Sequence, residues 1–406
     1  MNYYHRQIED VLKQYLKQFK VVLLTGPRQV GKSTLLKECL SDDFEYVTLD
    51  DINELDMAQN DAVQFFLNHG KPLIIDEVQY APNIFRQLKY LSDKQNDKGQ
   101  FCLTGSQNYL LMQNVSESLA GRIGIMELSP LSLREMNRIT FNRPFLPNDE
   151  YFESRKPNLI REPDIWQRIF RGSMPALLDE TADWRFFYNS YIKSYIERDV
   201  RDIVNVRNEN LFYKFLVAIA ARTGELFVAN DIAKSIGVTM QTIQAWMSVL
   251  EASGIVYLLR PYENNILKRA IKTPKIYFLD TGIVCNLVGW SSPEVLKNGA
   301  MAGNIFETFV VSEIIKSYKN AGLNTNNLYF YRDRDQKEID MLIIEGNVIH
   351  PIEIKKTAQP ATAMAKNFPT LKKIPGMELG SGCILCLSEK LVKTSELLSV
   401  VPIEYI

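Results

Sequence analysis

The segment LLTGPRQVGKSTLL places Gly26, then Pro27, Arg28, Gln29 and Val30, then Gly31, Lys32, Ser33 and Thr34, between an apolar run and a helix-like stretch. Glycines let backbone N–H groups close around phosphate oxygens, a helix N-terminus favours their charge, and a lysine at this spacing reaches the β and γ oxygens. This is a Walker A loop, with Ser33 as a ligand for Mg²⁺. Further along, Leu73, Ile74 and Ile75 carry Asp76 to a strand end, where ligands of open α/β sheets bind, and Glu77 follows it. Asp76 is expected to hold Mg²⁺ and Glu77 to polarise the attacking water. FCLTGSQN ends another strand in polar residues, so Thr104, Ser106 or Asn108 stand where a γ-phosphate is sensed, although ordinary turn chemistry explains them equally well. The chemistry implied is hydrolysis of a nucleoside triphosphate, ATP before others, with Mg²⁺.

A second constellation lies in YRDRDQKEIDMLIIEGNVIHPIEIKK, residues 331–356. Gly346 and Asn347 supply a turn between two strand-like runs, and a hairpin centred between them sets Asp340 opposite Glu353, with Cβ atoms ~5 Å apart. Lys355, two residues beyond Glu353, shares its face. Two carboxylates so close call for a cation between them, and a lysine beside them can orient a water. Those are the parts of a metal-dependent phosphodiesterase; a solvated Lys/Glu-rich strand face is the plainer alternative. Pro351 inside the second run predicts an edge or a bulge.

The elements that must position these groups follow from hydrophobic pattern. KVVLLTG, FEYVTLDD, KPLIIDEV, GQFCLTGS and IGIMELS are strand candidates, apolar enough for a parallel sheet covered on both faces. From about Phe141 to Pro163 the composition turns to Pro, Asn and charge, which reads as an irregular connection. Residues 164–222 are helical in pattern. Within ELFVANDIAKSIGVTMQTIQAWMSVLEASGIVYLL a helix stops at Gly237 and another starts at Thr239, the spacing of a helix-turn-helix. Thr239, Gln241, Thr242 and Gln244 occupy the first turns of that second helix, where polar side chains meet bases and phosphates. Lys268, Arg269, Lys272 and Lys275 lie between two strand-like runs, as in the basic wing of a winged helix. Residues 206–262 carry nearly balanced charge, so DNA contact through the backbone with low sequence specificity is expected, a packing module being the alternative.

The chain has 406 residues, enough for two or three domains. Hydrophobic residues at 46% and charged residues at 23% exclude disordered and fibrous classes. Lys and Arg number 47 against 48 Asp and Glu, so nucleic-acid contact must come from a local patch. No apolar run approaches the ~18 residues of a membrane span, and the charged N-terminus lacks a secretory pattern, so a soluble, cytoplasmic protein is expected. Five cysteines fit reduced, buried thiols. Cys383 and Cys386 form a CxxC, but on a strand they point to opposite faces, which argues against zinc.

The loop GPRQVGKST, the pair Asp76-Glu77, the strand end TGSQ and the stretch SLAGRIGIMELSPLSLRE resemble the AAA-type ATPases of bacteria and archaea that carry a C-terminal domain of unknown function. The resemblance covers essentially the whole chain; FRGSMP and YIERDV resemble the helical segment of that family. It implies a homo-oligomer, commonly a ring, and it singles out Arg122 as an arginine finger or sensor; from the residues alone Arg122 is equally a surface residue. The acid followed by Glu-x-Lys resembles the PD-(D/E)xK nuclease superfamily, and Glu307 in GNIFETFV matches the acid of its preceding helix. The expected architecture is α/β: a P-loop AAA-type ATPase domain over 1–141, a linker and helical segment over 142–222, a winged-helix domain over 223–295, and an α/β restriction-endonuclease-like domain over 296–406. The expected function is a Mg²⁺-dependent ATPase coupled to DNA binding or remodelling, with or without cleavage by the last domain. The alternative is an ATP-operated binding switch with an inactive nuclease-like domain, acting on DNA or protein partners.

Overall fold

Strands apolar on both faces need helices on both sides, and the N-terminal unit meets that need. The computed structural model describes residues 3–94, 96–105, 119–195, 209–263 and 272–406. Strands β1 (Val21–Thr25), β2 (Glu45–Thr48), β3 (Leu73–Asp76), β4 (Phe101–Thr104) and β5 (Ile123–Glu127) form one parallel sheet in the order β2-β3-β4-β1-β5. Alternation sorts its side chains. Val21, Leu23, Ile75 and Leu103 face a core with Phe65 and Phe85, whereas Val22, Leu24, Ile74 and Cys102 face the opposite core. Helix α1 (Lys32–Leu40) leaves the C-terminal end of β1, and α2 (Ile84–Lys94) precedes β4.

The stretch expected as an irregular connection is packed. Its backbone is largely irregular before the helix Asp149–Arg155, yet Phe145, Tyr151 and Arg155 are buried. The Tyr151 hydroxyl donates to the Tyr405 carbonyl at 2.9 Å, and the Phe145 amide donates to Ser317 Oγ at 3.0 Å. Proline and asparagine content foretells the irregular backbone, but the aromatic residues interleaved with them decide that it is wedged against the C-terminal unit.

Helices α3 (Glu209–Ala220), α4 (Ala229–Ile236) and α5 (Met240–Ala252) precede an antiparallel ribbon of β6 (Val256–Leu259) and β7 (Lys275–Phe278). Gly237 ends α4 with φ 83°, and Thr239 caps α5 by accepting the Thr242 amide, as the pattern predicted. Phe212 and Phe215 of α3 both pack on Trp246 of α5, so packing does not separate the helices at residue 222. FRGSMP also finds its reason here. Asp280 is buried and accepts bonds from the Ser173 amide, the Ser173 hydroxyl and the Tyr188 hydroxyl.

Helix α6 (Ala302–Asn320) packs on a second sheet formed by β8 (Leu328–Arg332), β9 (Glu338–Glu345), β10 (Val348–Lys355), β11 (Glu378–Leu379), β12 (Gly382–Cys386), β13 (Val392–Ser395) and β14 (Leu398–Pro402). The order is β13-β14-β12-β10-β9-β8, with β11 beside β10. The hairpin register is the predicted one, from Val348 opposite Glu345 to Ile352 opposite Met341. Pro351 marks neither an edge nor a break in that register. Strand β10 is interior, and Pro351 falls where its other neighbour changes from β11 to β12, a place where no ladder bond is lost. Cys383 and Cys386 enter opposite cores, as alternation requires. Among the described residues no helix is long and apolar enough to cross a membrane.

Candidate active site

The phosphate loop is shaped by two glycines. Gly26 has φ 141°, and a Cβ there would stand 2.2 Å from the Leu128 carbonyl oxygen; Gly31 caps α1 with φ 92°. The buried Lys32 ammonium donates to the carbonyls of Gly26 at 3.1 Å and Pro27 at 2.8 Å. Arg6 braces the loop from behind. Its guanidinium donates to the Val30 carbonyl at 2.9 Å, the Ser129 carbonyl at 2.7 Å and the Glu135 carboxylate at 3.0 Å. Burial pushes the Glu135 carboxyl up, but the Arg6 charge and the amides of Ser132 and Gln7 outweigh it and hold it below its ordinary value. Sequence reading missed Arg6, because a single arginine in an amphipathic stretch carries no spacing signal.

Asp76 and Glu77 stand at the C-terminal end of β3, beside the loop. Asp76 is buried and accepts from Ser33 Oγ at 2.9 Å, from the Tyr46 hydroxyl at 2.6 Å and from the Thr104 hydroxyl. Glu77 sits in the left-handed region with φ 59°, and the Gln79 side-chain amide donates to its carboxylate. Thr104, expected as a sensor, is fully buried and also receives the Glu77 amide at 3.4 Å. It is thus bonded to both members of the acid pair. Ser106 and Asn108 lie outside the described residues. Tyr46 and Gln79 carried no sequence signal beyond being polar residues near strand ends. Next to the loop, a cleft of about 360 Å³ is lined by Tyr4, Val30, Thr34, Leu131, Arg138 and Leu178, with the Arg138 guanidinium 5.1 Å from the Tyr4 ring centroid.

Arg122 is not part of this site. It precedes β5, whose first residue pairs with Val21 at the start of β1, so it lies at the sheet edge opposite the loop, roughly 15 Å away along the strands. There it is bidentate to Asp93 of α2, at 2.6 and 3.2 Å.

Of the residues expected to touch DNA, Gln241 and Gln244 are exposed on α5. Thr239 and Thr242 bond to each other at 2.9 Å as a helix cap. Lys268 and Arg269 lie outside the described residues. Lys272 pairs with Glu263 at the surface. Lys275 cannot reach a nucleic acid, since it is 4% exposed and bonded to Glu307 of α6 at 3.1 Å and Glu338 of β9 at 2.7 Å.

Lys275 thus joins the C-terminal carboxylates. A bulge in β9 sets Asp340 and Met341 together opposite Phe330, and the Asp340 carboxylate accepts the Ile354 amide at 2.8 Å. The cation between Asp340 and Glu353 is Lys355, at 3.0 Å from one and 2.7 Å from the other. Tyr277 of β7 donates to Glu307 at 2.6 Å. Burial and the Asp340 charge push Glu307 up to about 7 and Glu353 up to about 8, against the pull of the lysines. Among the described residues no group of three or more His, Cys, Asp or Glu is arranged to hold a metal ion, so the expected nuclease metal site does not fit these side chains.

A loop of this shape between β1 and α1, an acid pair at the end of β3 with β4 inserted between β3 and β1, and the strand order β2-β3-β4-β1-β5 define a P-loop ATPase. Residues 18–137 match the family profile described as an AAA domain, so this part of the chain is an AAA-type ATPase domain. Residues 162–294 and 302–406 match profiles described as domains of unknown function, DUF8612 and DUF4143. An uncharacterized protein of Mycobacterium tuberculosis is 29% identical over 356 residues, 86% of this chain and 73% of that protein. An uncharacterized protein of Methanocaldococcus jannaschii is 25% identical over 351 residues, 77% of this chain and 72% of that one. Among solved structures, a Walker-type ATPase of Pyrococcus abyssi is similar with a TM-score of 0.43 and 14% identity, covering 69% of this chain and 94% of that one.

Proposed function

We propose that the nucleotide cycle of this ATPase changes how α4, α5 and the β6–β7 ribbon, read as a winged helix, hold DNA. The observation that carries this reading is the close approach of Pro27 of the phosphate loop to Gly254, in the turn joining α5 to β6: a Cβ on Gly254 would stand 3.2 Å from the Pro27 ring and 3.1 Å from Glu127 Oε1. A loop that rearranges around phosphates pushes on the base of the helix whose outer face carries Gln241 and Gln244. With so little net positive charge on that face, DNA is held with low sequence specificity.

Within the site, Lys32 carries the β and γ oxygens and Glu77 polarises water. The hydroxyl of Ser33 and the carboxylate of Asp76, bonded to each other, are hard oxygen donors of the kind that suits Mg²⁺. That ion, when bound with ATP, neutralises developing phosphate charge. Tyr46 and Thr104 keep the Asp76 carboxylate aimed, and the cleft at Tyr4 and Arg138 takes the nucleobase. Arg122, remote from its own site, serves the nucleotide of a neighbouring copy in a ring.

The test is ATP turnover in Mg²⁺ with and without duplex and single-stranded DNA, with Lys32→Ala as the blank. Several-fold stimulation supports the reading, and a flat response overturns it. A second reading, a switch for a protein partner with a C-terminal domain that does not cleave, is favoured by the lysines that fill the carboxylate cluster.

A further inference from the structure

Glu77 stands on backbone that only a well-braced turn can hold. Its φ of 59° lies in the left-handed region, which a non-glycine residue enters at a cost. Three bonds meet that cost. The Glu77 amide donates to the Thr104 hydroxyl at 3.4 Å, the Tyr80 amide donates to the Glu77 carbonyl at 3.2 Å, and the side-chain amide of Gln59, on helix Ile52–Asn60, donates to the Tyr80 carbonyl at 2.7 Å. The short turn Val78–Tyr80 is thus pinned at both ends, and the reversal at Glu77 brings the Gln79 side chain back to the carboxylate.

Gln79 has one polar atom engaged and one not. Its Nε2 donates to Glu77 Oε2, whereas its Oε1 is buried with no hydrogen-bond partner among the described residues. The amide has no choice of orientation: an ionised carboxylate only accepts, so the nitrogen faces Glu77 and the carbonyl faces elsewhere. A buried carbonyl calls for a donor. Bonds run from Glu77 through Thr104 and Asp76 to Ser33, so this carbonyl stands at the phosphate end of β3, next to a carboxylate whose Oε1 is left to accept from water.

We propose that Gln79 is a second residue positioning the attacking water: its carbonyl accepts one proton of that water while Glu77 accepts the other, and its amide keeps the Glu77 carboxylate turned to do so. The inference rests on the reading of Glu77 given above and does not depend on whether DNA is the partner. A water held by one acceptor can still rotate, whereas two acceptors fix the lone pair that must point at the γ phosphorus. As the water oxygen bonds to that phosphorus, the bond from phosphorus to the β–γ bridging oxygen breaks and its electron pair leaves on ADP. One water proton passes to Glu77. The other stays on the new phosphate, bonded to the Gln79 carbonyl, and Gln79 itself takes no proton.

The experiment compares the full chain with Gln79→Met, which keeps the length of the side chain and loses both polar atoms, and with Gln79→Asn, whose amide is one methylene short; Glu77→Gln is the reference. Both Gln79 variants are expected to bind a non-hydrolysable ATP analogue as wild type does and to keep KM, while kcat falls about tenfold, the worth of one hydrogen bond. Trapping of ADP with aluminium fluoride, which mimics the phosphoryl group in flight with its water in place, should need about tenfold more fluoride complex. A kcat within about twofold of wild type, with Glu77→Gln inactive, overturns the proposal and leaves the reading of Glu77 standing. Normal turnover in Glu77→Gln overturns that reading and the proposal with it. A matching loss of ATP-analogue binding would make Gln79 a brace of the loop, which also overturns it. If Gln79→Met does not fold, Gln79→Asn decides by the same measurements.

Discussion

Gly254 and Pro27 approach each other across 227 residues of sequence: the glycine adopts φ 69°, and a Cβ there would stand 3.2 Å from the Pro27 ring and 3.1 Å from Glu127 Oε1 of β5. Alanine at 254 costs roughly 1–2 kcal/mol in the left-handed region, and its methyl group presses on both the Pro27 ring and the Glu127 carboxylate. Gly254→Ala is expected to keep ATP binding and to lose DNA stimulation of turnover. Gly289→Ala, at φ 82° with nothing within 4 Å, carries the backbone strain without the contact and is the control. Equal stimulation in both variants would remove the contact from the coupling path.

Removal of Lys32 takes away the ammonium that meets the phosphates, so Lys32→Ala is expected to abolish nucleotide binding in an equilibrium titration. Glu77→Gln keeps the shape and the Gln79 contact while losing the base. Binding should survive and turnover should fall by about 10²-fold or more. Normal turnover in that variant would exclude Glu77 as the catalytic residue.

Arg6 and Glu135 are both buried, and a variant that removes one leaves the other charged and alone. Arg6→Ala is expected to cost about 3–5 kcal/mol in denaturant unfolding and to loosen the loop at Val30. The pH dependence follows from the sign of the shift. Glu135 is held below its ordinary value, so its contribution is present above the unfolded value near 4.5 and disappears as pH falls through the folded one. The acid limb of the stability curve should flatten in Arg6→Ala.

The C-terminal cluster has the opposite sign. Glu307 and Glu353 are raised to about 7 and about 8, so the folded state holds protons that the unfolded chain releases near 4.5. Their contribution is complete below pH 4.5 and is lost as pH rises through 7 to 8. Asp340→Asn removes the charge that helps to raise both, with Lys275, Tyr277, Glu338 and Lys355 still facing them, and should shrink that slope in unfolding followed between pH 5 and 8.

Arg122 lies at the wrong end of the sheet for its own nucleotide. Arg122→Ala alone should bind ATP normally and turn it over slowly. Mixed with Lys32→Ala, which cannot bind ATP but carries Arg122, it should regain turnover. Absence of rescue with proven co-assembly would show that Arg122 serves no neighbour.

Much was legible in the residues. Walker A spacing, the acid pair at a strand end and the glycine between α4 and α5 are local signals, in which a few neighbouring side chains and backbone angles fix the geometry. The hairpin register from Val348 opposite Glu345 to Ile352 opposite Met341 is equally local, since the two-residue turn dictates it. What sequence could not decide is where distant charges meet. Lys275 reads as one base of a wing, yet the docking of the ribbon on the second sheet buries it among carboxylates from α6 and β9. Arg122 reads equally as a finger, which the resemblance implies, or as a surface residue, and strand direction places it far from its own loop. Arg6 carries no pattern at all until the fold brings Val30, Ser129 and Glu135 around it. Burial and long-range pairing are properties of the packed chain, and they determine whether a charged residue is a ligand, a finger or a buried counter-ion.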